Sequence, residues 1–96
     1  GVADAVAVRA ALAALEAARA ASAREEAAYG LVEQRARRGE DDQLMLATAR
    51  LSALAGRQRE IAAQSQATQA AVALHKALGG GWDSESRVAQ ALGGAR

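Results

Sequence analysis

From Val8 to Ala36 the chain repeats at alternating steps of three and four residues. After one charged, glycine-centred break it does so again from Leu44 to His75. That spacing places a stripe along one face of an α-helix and is the signature of a helix-on-helix seam. In the first segment the stripe is Val8, Ala11, Leu15, Ala18, Ser22, Glu25, Tyr29, Val32 and Ala36, of which seven are apolar or aromatic. In the second it is Leu44, Ala47, Leu51, Leu54, Gln58, Ile61, Ser65, Thr68, Val72 and His75, with six apolar. Strand-like alternation is sustained nowhere. The pattern therefore predicts an all-α fold, a long antiparallel two-helix coiled-coil-like hairpin with a short C-terminal tail. The expected boundaries are a helix over 3–38, a tip turn over 38–42 and a helix over 42–78.

Composition narrows what such a hairpin can be. Of 96 residues 29 are alanine, and only 20 are large apolar or aromatic residues. Alanine buries little surface, so a thick globular core is excluded. With no cysteine, disulfide scaffolds and thiolate metal sites are excluded too. A net charge of +1 and two aromatic residues argue against an electrostatic or stacking nucleic-acid binder. No apolar run approaches the roughly 18 residues of a membrane-spanning helix. Gly1 to Ala5 carry no basic stretch of the kind that opens a signal peptide.

The hinge has legible chemistry. Gly39 suits the left-handed position just past a helix end. Arg35, Arg37 and Arg38 fall in the last turn, where cations complement the helix dipole. Asp41 and Asp42 supply capping oxygens and negative charge to the start of the next helix. A turn centred near residue 40 sets Leu44 against Ala36, Leu51 against Tyr29, Thr68 against Leu12 and Val72 against Val8. Each arm of about 36 residues then spans about 54 Å. At the far end, Gly79, Gly80 and Gly81 read as a helix stop that lets the chain turn sharply, with Trp82 as an anchor packing the chain beyond it. Residues 83–96 are expected to form a flexible or weakly helical tail.

Leu12, Leu31, Leu46, Leu74 and Leu78 lie off both stripes and widen the apolar surface beyond what one seam uses. Spare apolar faces on both arms point to further helices packing alongside. A GC-rich genome that fills tolerant helix positions with alanine is the competing account.

Enzymatic readings fail on geometry. Glu25 and Glu26 are adjacent on a helix and point in different directions, so they share no site. Glu33, Asp41 and Asp42 read as helix-surface and turn charge. His75 has no second histidine, cysteine or aspartate beside it in sequence. The glycine run follows no strand and precedes no Lys-Ser/Thr pair, so it is not a phosphate loop. Gly30 and Gly56 sit inside helices at about 1 kcal/mol each, either to permit close approach or bending or as tolerated defects. No catalytic, cofactor or metal site is expected.

Two strings carry a family resemblance. His75-Lys76-Ala77-Leu78-Gly79-Gly80-Gly81-Trp82, approached by Val72-Ala73-Leu74, resembles the C-terminal signature of the TolC-like outer membrane factors of tripartite efflux systems, including the NodT-type lipoproteins. Arg35-Ala36-Arg37-Arg38-Gly39 is similar to the Arg-x-x-x-Gly turn at the periplasmic tip of that family's second helical hairpin. The separation of the two strings also agrees. The resemblance covers roughly residues 20 to 82. It departs at Thr48-Ala49-Arg50-Leu51, where Asp-Ala-Gln-Arg is frequent, and at Met45 and Thr48, where some relatives carry carboxylates near the pore constriction. The tip continues as Glu40-Asp41-Asp42, where small or apolar residues are common.

The resemblance implies a fragment of an outer membrane efflux channel, the periplasmic portion of a protein of the cell outer membrane that is a homotrimer at full length. The hairpin would be part of a periplasmic α-helical tunnel. Its partners would be a periplasmic adaptor, docked through Arg35, Arg37, Arg38, Gly39, Glu40 and Asp41, and an inner-membrane pump. The alternative, from another class, is a free-standing helical-hairpin interaction module that self-associates through its spare Ala/Leu faces.

Overall fold

The computed structural model describes the backbone of residues 1–93 and the side chains of residues 1–79. Two antiparallel helices, α1 (Val2–Arg37) and α2 (Gln43–Gly93), account for the described chain apart from Gly1 and the turn between them. The all-α hairpin is thus the fold. It is a rod 81 × 18 × 14 Å, and α1, about 54 Å long at 1.5 Å per residue, accompanies only part of the longer α2.

The tip is built by local chemistry. α1 ends in a Schellman arrangement: the Gly39 amide donates to the Ala36 carbonyl at 3.0 Å and the Glu40 amide to the Arg35 carbonyl at 2.8 Å. Gly39 has φ +75°, the left-handed conformation that the closure demands and that glycine adopts without a Cβ clash. α2 is capped by Asp42, whose Oδ1 accepts from the Met45 amide at 2.8 Å while its carbonyl accepts from the Leu46 amide at 3.2 Å. Asp42→Ala removes that cap and is expected to lower hairpin stability by about 1 kcal/mol, read as a fall in the circular-dichroism melting midpoint with the low-temperature helicity retained.

The stripe read on α1 is the one that faces α2: each of its nine positions from Val8 to Ala36 is buried or half-buried, with Leu15 and Ser22 the deepest. The stripe read on α2 is not. All ten residues from Leu44 to His75 in that stripe are exposed, so the pairings of Leu44, Leu51, Thr68 and Val72 with α1 do not form. The face that meets α1 lies two positions further along: Leu46, Ala49, Ala53, Gly56, Glu60, Ala63, Ala67, Ala70 and Leu74, all buried or half-buried. Two residues rotate a helix by about 200°, close to the opposite side. The reason is steric. The α1 stripe already carries Val8, Leu15, Tyr29 and Val32, and a mostly Ala/Gly face lets those side chains interdigitate while the axes stay close.

The two helices come close at Gly56. A Cβ there would run into the Glu25 carboxylate and would stand 3.6 Å from the Ser22 Cα. Ordinary helix cost is therefore accepted at Gly56 in exchange for proximity.

The second correction concerns the far end. α2 does not stop at residues 79–82 but continues as helix through Gly79, Gly80 and Gly81 to Gly93. Glycine permits a helix to end without compelling it to. The chain has no proline to break the run, and Ala77 and Leu78 before it are strong helix formers. The expected tail is helical as far as Gly93, and residues 94–96 lie outside the described residues. The packing role expected for Trp82 also falls outside the described side chains.

Candidate functional site

The tip gathers six side chains or turn positions singled out in the sequence. Arg35, Arg37, Arg38, Gly39 and Glu40 are exposed at one end of the rod, and Asp41 is half-buried beside them. α1 delivers the three arginines, and the Schellman turn reverses the chain so that Glu40 and Asp41 follow within one turn of backbone. Arg37 reaches back to Glu33 at 3.7 Å. Exposed pairs of this kind contribute little to stability, so that contact leaves the guanidinium available to a partner. Asp41 Oδ2 is shielded from solvent and has no hydrogen-bond partner.

A second polar set fastens the two helices along their flanks. Arg50 donates from Nε and Nη2 to the Tyr29 hydroxyl at 3.2 and 3.1 Å, with its guanidinium carbon 5.8 Å from the ring centroid. The hydrogen bond to Tyr29 holds the Arg50 guanidinium above its ordinary pKa. Arg59 pairs with Glu25 at 3.1 Å, and Arg19 approaches Glu60 at 4.0 Å. Glu25 thus serves as a seam residue, seated over Gly56 and tied to Arg59. The sequence places Glu25 on the seam and allows Gly56 a close approach, but it sets Gly56 on no stripe and so does not bring the two together. A signal is present: the 3–4 run through Ala49, Ala53, Gly56, Glu60 and Ala63 is small except at Glu60, and Arg50 and Arg59 lie beside it.

The apolar surface left over is large. Leu44 is 74% exposed, Leu51 67%, and Leu54 and Ile61 55% each, all in the outer stripe of α2. Val2, Val6, Leu12 and Leu31 are exposed on α1. Near the open end, Ala5, Val8, Leu12 and Leu74 line a shallow groove edged by Arg9 and Glu16. Gly79, expected in the stop, is an exposed position inside α2.

Among the described residues no three acidic, histidine or cysteine side chains converge to hold a metal ion. Among the same residues no helix is long and apolar enough to cross a membrane. His75 is exposed on the outer stripe of α2. The arrangement offers contact surfaces: a tip of mixed charge and a helix with two apolar faces. The class that fold and surface define is a two-helix hairpin with an exposed apolar stripe along α2. Comparison with family models, curated proteins and solved structures finds no match.

Proposed function

We propose that the chain contributes one hairpin to the wall of a periplasmic α-helical export tunnel of the TolC-like outer membrane factor type, with its charged tip docking a periplasmic adaptor that links to an inner-membrane pump. The observation that carries the reading is the two-sided α2. A tunnel wall one helix thick requires each helix to contact a neighbour on both sides, and α2 meets α1 with its small face while turning Leu44, Leu51, Leu54 and Ile61 outward. The sequence resemblance through residues 35–39 and 75–82 supports it, as does the Gly39 turn at the tip.

The mechanism is passive. Tip charges govern encounter and register with the adaptor, and opening is a change in helix–helix contact at that end. The test grafts residues 20–82 in place of the matching hairpin of an intact TolC-like channel and measures trimer level, adaptor cross-linking and export. Function in the chimaera is expected. Arg38→Glu in it should leave helicity and trimer level intact while reducing adaptor cross-linking and export, because Arg38 is exposed and makes no side-chain contact that supports the turn. A well-folded chimaera whose cross-linking ignores Arg38→Glu would return the tip charges to plain solvation.

One observation favours the second reading, a free-standing helical-hairpin interaction module. α2 runs on unbroken through residues 79–82, where the channel signature was expected to end the helix. A chimaera that folds but neither trimerises nor exports would favour it.

A further inference from the structure

We infer that two copies of this chain associate in parallel through the outer stripe of α2, tips side by side, independently of any role in export. The stripe is a complete heptad seam on a helix whose opposite side is already occupied by α1. Its first core position repeats as Leu44, Leu51, Gln58, Ser65 and Val72, and its second as Ala47, Leu54, Ile61, Thr68 and His75. All ten are exposed in the hairpin. With the apolar members half to three-quarters uncovered, two such stripes in contact bury on the order of 1,000 Å², the lower bound for a specific interface.

Flanking charge and layer matching choose the alignment. Arg50 and Arg57 edge the stripe on one side, and Ala55 and Ala62 on the other. In a parallel, in-register pair each arginine lies across from an alanine of the second copy. Leucine then meets leucine at 44, 51 and 54, isoleucine meets isoleucine at 61, and the two Gln58 amides meet each other as the polar layer that fixes register. The antiparallel register that stacks the bulky residues, Leu44 on Ile61 and Leu51 on Leu54, sets Arg50 against Arg57 of the other copy. Shifting it by one heptad sets Arg57 against Arg57. Shifting it again removes the clash but faces Leu44, Leu51 and Leu54 with His75, Thr68 and Ser65. A polar or cationic layer in the antiparallel forms therefore weighs against each of them. The α1 helices, on the far side of each α2, do not obstruct the parallel pair.

The chain has no cysteine, so single substitutions report orientation cleanly. Sedimentation of the full chain across 1 to 200 µM is the first measurement, with Leu54→Glu as the disruptive variant. A dimer is expected, and Leu54→Glu should weaken it at least tenfold. Since Leu54 is exposed on the side of α2 away from α1, helicity at high concentration should survive. Where helicity and association fall together, orientation is read instead from Leu44→Cys, a surface change at the tip end. Under oxidation Leu44→Cys should form an intermolecular disulfide, and a mixture of Leu44→Cys with Val72→Cys should give no excess of mixed dimer over statistical exchange. A monomer at 200 µM, a trimer or larger species, or preferential 44–72 disulfides would overturn the proposal.

Discussion

Truncating Leu15 to alanine is expected to lower hairpin stability by about 2–4 kcal/mol, whereas truncating Leu51 changes the stability of the isolated hairpin by less than about 0.5 kcal/mol. Leu15 is the one large apolar side chain in the structure's described core, 7% exposed, with Ala53 and Ala67 as its buried apolar companions. So thin a core has no second bulky residue to take over, and the cavity left by the lost methyls faces small side chains that cannot reach across it. Leu51 is mostly in solvent already. Urea titrations of both variants, at a concentration where association is absent, give the contrast directly. Equal losses, or a larger loss at Leu51, would mean that α2 packs on α1 with its bulky stripe.

Gly39→Val is the second large effect. The φ of +75° at this position is one that a β-branched residue adopts only under strain. The cost is about 2 kcal/mol or more. It falls on the two hydrogen bonds that close α1, from the Gly39 and Glu40 amides. Space does not set this cost, because nothing lies within 4 Å of where a Cβ would stand. Gly39→Asn should accordingly recover much of the loss, since asparagine tolerates the left-handed region. Valine and asparagine variants of similar stability would show that the turn reshapes freely.

The parts of the fold that depend on neighbouring residues were legible in the sequence. Gly39 after three arginines and before Asp41 and Asp42 encodes a helix end, a reversal and a helix start within a few residues, and the tip residues are where that reading puts them. The α1 stripe was legible because α1 has one seam. α2 has two with the same 3–4 period, offset by two positions, and periodicity cannot choose between them. Bulk favoured Leu44, Leu51 and Ile61, but close packing favoured Ala49, Ala53, Gly56 and Ala67, because the facing helix already supplies the volume. The deciding information is non-local: it is the bulk of the facing α1 stripe, and Arg50 with Tyr29, Arg59 with Glu25 and Glu60 with Arg19 then pair across the helices. The Gly79–Gly81 run misled for a different reason. Glycine lowers helix stability by degrees, and a helix ends only where something else completes the exit, as Asp42 and the Schellman bonds do at the tip.

The offset of two residues between the faces of α2 gives the tip a further significance. A residue inserted or deleted within the first turn of α2, with the tip and the Asp42 cap held, turns the rest of α2 by about 100° relative to α1. A change of two residues brings the leucine stripe into the space now filled by alanine and glycine, and forces the axes apart by the height of those side chains. With the tip held, the register of α2 at its Asp42 cap therefore bears on the spacing of the two helices along their shared length. Insertions there, which in most surface loops are tolerated quietly, would in this chain exchange a narrow hairpin for a wide one and hide the surface it now offers to others.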